Sequence, residues 1–339
     1  MFKILSLDGG GIRGAFTASL LAKIQESLDR PLASYFDLIV GTSTGGLIAV
    51  ALGMGLSADE IKALYENEGA SIFTRRPVAP LGWKRRAIDA FLWRMAPKFD
   101  AEWLFASKYT SDRLITSLTA TLGERTLEQS QCRLAIPAVD LVAGKVIVFK
   151  TPHRPRFVRD RRFKAVDIIA ATTAAPSYFP TATIEPGSAY CDGGIWANNP
   201  ALVGYVEAIK IQKECRRQEL DLCFSPNDIH LLSIGTGRAA YFMEPQAAAP
   251  GLLWWGSRLL NVSGEAQSEG IHWQMKYLLD DRYMRIDFDI PSEGNWDLDG
   301  VDRIGALLHI GSERATEWLP RVRDCFFAKA ASRYVPFDD

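Results

Sequence analysis

The sequence predicts an α/β fold, a mostly parallel central sheet covered by helices. Three observations carry that expectation. Phe2 to Leu7 and Leu38 to Val40 are short apolar runs that read as buried strands. Each runs into a glycine-rich turn, Asp8-Gly9-Gly10-Gly11-Ile12-Arg13-Gly14 after the first and Gly41-Thr42-Ser43-Thr44-Gly45 after the second. Each turn is followed by a helical stretch. The first 55 residues therefore read β-α-β-α, the pattern of a parallel sheet with helices packed on it. Both turns fall at strand C-terminal ends, the edge where open α/β sheets place their sites.

The elements follow in order. Phe16, Leu20, Leu21, Ile24 and Leu28 recur at helical spacing, and Pro31 stops that helix. Leu47 to Met54 is a helix of small and apolar residues. Ser57-Ala58-Asp59-Glu60 is a capping box, and Ile61, Leu64 and Tyr65 give its helix a buried face. Leu114 to Leu122 reads as helix. Cys132 to Leu141 and Lys145 to Lys150 read as strands paired through Ala143-Gly144. Ala165 to Thr173 is a short helix running into the rigid loop Ala174-Ala175-Pro176-Ser177-Tyr178-Phe179-Pro180. After Tyr190-Cys191-Asp192-Gly193-Gly194 a helix spans Ala201 to about Cys215, and Ile229 to Ile234 is a further core strand. From about 240 the chain is less readable. A helix is expected through Glu265, Glu269, His272, Trp273 and Tyr277, a strand over Tyr283 to Phe288, and helices over Ile304 to Ile310 and Trp318 to Phe327. No linker breaks the chain, so residues 1–339 are expected to form a single domain.

Composition narrows the class. The chain has 339 residues, 47% hydrophobic and 23% charged, as in soluble globular proteins. A net charge of -1 gives no whole-molecule field for a nucleic acid polymer. The five cysteines are odd in number and lack metal or disulfide spacing, so neither metal nor cofactor is expected and a reducing cytoplasm is. The N-terminal apolar run is too short for a signal peptide. Leu38 to Ala58 carries no charge and is long enough to cross a bilayer, but its glycines, serine and threonines suit a buried strand–helix unit better.

The chemistry concentrates at the turns. Gly41-Thr42-Ser43-Thr44-Gly45 is a G-x-S-x-G set between strand and helix, the setting of a nucleophile elbow. Ser43 would stand at a helix N-terminus, where negative charge is favoured. Gly9, Gly11 and Gly14 also match G-x-G-x-x-G, the dinucleotide fingerprint. That fingerprint wants an acid at the end of the second strand, and here the strand ends in Gly41-Thr42-Ser43. Gly9, Gly10 and Gly11 have another use: their N–H groups can form an oxyanion hole facing the nucleophile. Arg13 would add a positive charge suited to a substrate phosphate. Asp192-Gly193-Gly194 places an acid on a third tight turn.

Between about 71 and 100 the composition shifts. Arg75, Arg76, Lys84, Arg85, Arg86, Arg94 and Lys98 stand against one acid, Asp89, with Phe73, Trp83, Phe91, Trp93 and Phe99 interleaved. Such a basic, aromatic helical insert suits an anionic membrane surface or an anionic regulator. An ordinary surface helix with its stripe packed on the core fits too. His153, in the basic loop after Lys150, reads as a surface residue.

Four features in one order resemble the patatin-like phospholipases: Asp8 to Gly14, Gly41 to Gly45, Ala171 to Pro180, and Asp192-Gly193-Gly194. The likeness covers roughly residues 1 to 240. It implies a three-layer sandwich with a mostly parallel central sheet, and a calcium-independent lipid acyl hydrolase of phospholipase A type. Ser43 is then the nucleophile, Asp192 the base, and Gly9, Gly10 and Gly11 the oxyanion donors. Partial burial would raise the Asp192 pKa and make it an effective base. A Ser-Asp-His triad using His230, His272 or His309 is the rival mechanism, and a non-catalytic membrane- or anion-binding protein the rival function. The insert and the tryptophans near Trp254 also resemble bacterial patatin-like antiphage effectors, which cyclic di- or oligonucleotides switch on to degrade membrane phospholipid. That resemblance implies an enzyme peripheral at the inner membrane when active. A homo-oligomer is compatible with the sequence, which does not fix it.

Overall fold

The computed structural model describes residues 1–73, 75, 106–155, 157–217, 224–238, 258–291 and 293–337. Its centre is a seven-stranded sheet. The strands are β1 (Phe2–Leu7), β2 (Leu38–Gly41), β3 (Arg133–Asp140), β4 (Lys145–Lys150), β5 (Tyr190–Asp192), β6 (Ile229–Ile234) and β7 (Tyr283–Ile286). The order is β4-β3-β2-β1-β6-β7, with β5 paired to β3. β1, β2, β3, β6 and β7 run parallel, and β4 and β5 run antiparallel to β3. The mostly parallel sheet expected from the first 55 residues is present.

Helices cover both faces because the strands are apolar on both. In β1, Leu5 and Leu7 face one core and Phe2 and Ile4 the other. The larger core is roofed by α1 (Gly14–Gln25), α2 (Thr44–Gly53), α3 (Ala58–Ile72), α4 (Asp112–Leu122), α5 (Ala165–Thr173) and, beyond the third tight turn, α9 (Ile304–Val322). The smaller lies under α7 (Ala201–Arg217) and α8 (Arg258–Leu279). A short α6 (Gly194–Ala197) follows β5. The result is three layers, helix on sheet on helix.

Several expectations are met closely. Ser57 and Glu60 form the reciprocal capping box, and the 38–58 stretch is a buried strand and helix. No described helix is long and apolar enough to cross a membrane. Three expectations change. The two helices foreseen in the last forty residues are one, α9, which carries Pro320 near its end and passes into a π-helical turn over Arg323–Phe327. The strand Tyr283 to Phe288 stops at Ile286, because Asp287 turns its carboxylate to the N–H groups of Gly237 and Phe288. His153 is buried, not exposed. It sits between Thr151 and Glu207, and burial pushes its pKa down to about 4. Of the insert, Ser71 and Ile72 end α3, and Arg75 is exposed and bridges to Tyr109. Arg76, Lys84, Arg85 and Arg86 lie outside the described residues, as does Trp254.

The sheet's one irregularity positions the site. β2 pairs with the start of β3, through Arg133 to Ala135. β5 pairs with its end, through Ala138 to Asp140. β4 takes residues 135–140 on the other edge, so β2 and β5 share one edge of β3 and run toward each other. Their C-terminal ends meet near Pro137, a residue with no N–H to offer either neighbour.

Candidate active site

Ser43 and Asp192 stand at those meeting strand ends. Ser43 follows β2 in a left-handed conformation, φ 54° and ψ −123°. A serine held there is strained, and the surroundings hold it. A Cβ on Gly41 would meet the Gly45 carbonyl oxygen at 2.1 Å, and one on Gly45 would meet the Leu7 carbonyl oxygen at 2.2 Å. The two glycines therefore permit the tight elbow, as the G-x-S-x-G implied. The Ser43 N–H donates to Thr172 Oγ1 at 3.0 Å, and the Thr172 hydroxyl donates to the Pro137 carbonyl at 2.7 Å. Thr172, on α5, thus bridges the gap between β2 and β5. The sequence reading assigned it no role.

Asp192 is buried, its carboxylate faces the Ser43 hydroxyl, and it accepts from the Gly194 N–H at 2.7 Å. Burial pushes its pKa up to about 6, against the pull of those two donors. Such a carboxylate is a better proton acceptor than an exposed one and is still ionised at neutral pH.

The glycine run divides. The Gly9 N–H donates to the Asn198 carbonyl at 2.9 Å, which corrects the expectation that it serves as an oxyanion donor. Gly10 and Gly11 line the same cavity as Ser43, and among the described residues their N–H groups donate to no backbone carbonyl. Gly11 has φ 57°, where glycine is favoured. Arg13 is buried in the wall beside the loop. Its guanidinium donates to the Gly237 carbonyl at 3.3 Å and lies 3.6 Å from the Glu265 carboxylate.

The cavity over Ser43 has a volume of about 360 Å³. Ile12, Leu47, Ile72, Phe73, Leu114 and Phe179 make its lining mainly apolar, with the polar groups gathered at Ser43, Asp192 and the glycine loop. An apolar cleft with a few convergent polar groups suits an acyl chain whose ester carbonyl lies at the polar end. Ile195 and Leu259 also line it, and both are about half exposed at its rim. A second hollow of about 530 Å³ lies behind the glycine loop. It is lined by charged side chains, among them Arg238, Arg285 and Glu317.

The histidines are committed elsewhere. His230 opens β6 opposite Lys3, at the far end of the sheet from Asp8. His272 Nδ1 lies 3.2 Å from the Tyr283 hydroxyl. His309 is exposed and pairs with Glu313. His153 is held by Glu207.

Comparison with known proteins follows the same residues. The family model described as patatin-like phospholipase matches residues 5–205. A cGAMP-activated phospholipase of Pseudomonas aeruginosa is 34% identical over 304 residues, covering 89% of this chain and 83% of that one. One from Vibrio cholerae is 33% identical, covering 93% and 90%. Patatin-like protein 4 of Arabidopsis thaliana is 30% identical, covering 84% and 76%. Among solved structures, VipD from Legionella pneumophila aligns with a TM-score of 0.42 and 13% identity, over 91% of this chain and 66% of that one.

Proposed function

This chain belongs to the patatin-like phospholipase family, and on that premise we propose that it cleaves fatty-acyl esters of membrane phospholipids with a Ser43–Asp192 dyad. The observation that carries the proposal is a strained Ser43 facing a buried carboxylate, Asp192, in one apolar cleft. In the acylation step the Ser43 Oγ attacks the ester carbonyl and Asp192 takes its proton. The carbonyl oxygen gains negative charge and is met by the N–H groups of Gly10 and Gly11. The carbon–oxygen bond to the glycerol breaks, and Asp192 returns the proton to the departing alkoxide. Water then attacks the acyl-enzyme carbonyl, again giving a proton to Asp192; the bond to the Ser43 Oγ breaks, Asp192 returns the proton to that oxygen, and the fatty acid leaves. No step uses calcium or a histidine.

Arg13 stands where a headgroup phosphate could compete with Glu265 for its guanidinium. The half-exposed Ile195 and Leu259 at the rim suit contact with a phospholipid surface, where the substrate is. The relatives named as cGAMP-activated support a further element of the reading, activation by a cyclic nucleotide.

The test is fatty-acid release from phospholipid vesicles by the wild type, Ser43→Ala and Asp192→Ala, with a calcium chelator and with and without cGAMP. Release lost in both variants and indifferent to chelator is the expected result. Dependence on cGAMP supports the activator. Wild-type rates in Ser43→Ala refute the dyad, and the absence of release from the wild type under every condition favours a binding protein.

A further inference from the structure

The loop that carries Gly10 and Gly11 is held mainly by residues from the last third of the chain. The Asp8 N–H donates to the Ile234 carbonyl at 3.0 Å, and the Thr236 hydroxyl donates to the Gly9 carbonyl at 2.6 Å. The Ile12 N–H donates to the Leu298 carbonyl at 2.9 Å. The Asp8 side chain accepts from Arg285 at 2.8 Å and from Ser268 at 2.9 Å. All five partners lie beyond residue 205, where the match to the family model ends.

Arg285 is the centre of this support, and the sheet is built to let it through. Ser6 of β1, Ser233 of β6 and Arg285 of β7 lie in one register row. Ser6 and Ser233 are fully buried polar residues in strands otherwise almost wholly apolar. Leucine or isoleucine at Ser233 would stand where the guanidinium crosses. Instead the guanidinium donates to the Ser233 hydroxyl at 2.8 Å and continues past β6 to Asp8. It also donates to Asp287 at 2.7 Å, and Asp287 in turn accepts from the Gly237 N–H at 2.9 Å. The Gly237 carbonyl accepts from Arg13. The loop is thus gripped at both its ends, Asp8 and Arg13, by one connected network.

A buried arginine bound to two carboxylates is a weak source of net stability, since desolvation offsets most of the attraction. Its geometric consequence is larger, because an oxyanion hole works only when its donors are aimed beforehand. We propose that Arg285 is a positioning residue for this hydrolase: through Asp8 it fixes the aim of the Gly10 and Gly11 N–H groups, with Ser268 as its auxiliary. The proposal rests on the reading of those N–H groups as the oxyanion hole.

The experiment is steady-state kinetics on phospholipid vesicles with the full chain and saturating cGAMP, for wild type, Ser268→Ala, Arg285→Lys, Arg285→Met and Ser43→Ala, with a thermal melt of each. One well-aimed oxyanion donor is worth about 10²–10³ in kcat, so partial misalignment in Ser268→Ala should cost about 3- to 10-fold and in Arg285→Met about 100-fold. KM should stay within about twofold, because substrate and transition state share every other contact. Arg285→Lys should recover part of the Arg285→Met loss, since lysine keeps the charge but loses the fork. Arg285→Met removes the counter-charge from the buried Asp8 and from Asp287; if it does not fold, Ser268→Ala and Arg285→Lys decide. Folded Ser268→Ala and Arg285→Lys with wild-type kcat would overturn the proposal. So would losses confined to KM, or losses that track the melting temperature alone. Full activity in Ser43→Ala would instead overturn the dyad itself.

Discussion

Asp8 and Asp192 occupy nearly the same local sequence. Each stands at the C-terminal end of a buried strand, each is followed by at least two glycines, and burial pushes each carboxyl up to about 6. Their partners differ. Asp8 faces the Arg285 guanidinium, the Ser268 hydroxyl and, close by, Asp287. Among the described residues the Asp192 carboxylate faces the Ser43 hydroxyl and accepts from the Gly194 N–H, with no cation against it. A carboxylate meant to hold a loop gains from a fixed counter-charge. A carboxylate proposed to accept a proton loses by one, because a bound guanidinium would occupy the oxygen that must take the proton. The difference between the two sites is therefore a division between holding and reacting, made by one arginine on one side of the sheet.

The largest effect that could break this comparison is on turnover. Asp192→Asn should lower fatty-acid release by about 10³- to 10⁴-fold, as loss of a nucleophile's base does, whereas Asp8→Asn, which touches only the loop's aim, should cost about 10- to 100-fold. Equal losses in the two variants would erase the distinction.

Stability should move in opposite directions. The folded pKa of Asp192, about 6, lies above its ordinary 3.8, so its ionised form opposes folding at neutral pH. A shift of that size corresponds to about 3 kcal/mol, so Asp192→Asn should stabilise the protein by up to that amount at pH 8. Asp8→Ala removes one of the two carboxylates on Arg285 and leaves Asp287, and it should destabilise by about 1–3 kcal/mol. Urea unfolding of both variants measures the pair, and a destabilised Asp192→Asn would contradict the account.

The pH dependence sharpens the same point. As pH falls through about 6, Asp192 takes up a proton and turnover should fall. The folded state binds that proton more tightly than the unfolded chain does, so the group's contribution to stability should rise from above pH 6 down to about pH 4. Asp8, facing Arg285, Asp287 and Ser268, titrates in the same range, so an acid limb steeper than one proton is expected. A kcat/KM profile beside melts at matched pH tests whether activity and stability part company. The smallest effect is expected from the histidines. Removing His230, His272 and His309 together should leave the rate within about threefold, where loss of a triad histidine would cost several orders of magnitude.

How much of this was legible follows from which interactions are local. The elbow at Ser43 was readable because its requirement is steric and short-range: Gly41 and Gly45 must lack side chains for the turn to close. The capping box at Ser57 and the helical stripes were readable for the same reason. The pairing of Ser43 with Asp192 was reached through the order of motifs, not through geometry. It depends on β5 sharing an edge of β3 with β2, which no periodicity encodes. The commitment of the Gly9 N–H to Asn198 and the burial of His153 against Glu207 depend on residues far along the chain. Arg285 left a trace that went unused. Ser6 in Phe2–Leu7 and Ser233 in Ile229–Ile234 interrupt two core strands at matching positions. A small polar residue at the same register of two apolar strands marks a place where a longer polar chain passes.

The position of β1 has a consequence in time. Its first neighbour, β2, follows soon after it in the chain, but its second is β6, where Phe2 pairs with Ile229. During synthesis the strand behind the glycine loop therefore waits with one edge bare until Ile229–Ile234 emerge, and Asp8 waits longer still for Arg285. Distant pairings of this kind form slowly, after the intervening chain is made. A ribosome-bound fragment ending before β7 lacks two of the five partners of its own loop, Arg285 and Leu298. The glycine loop of the proposed site therefore gains its full support only after Leu298 has been made.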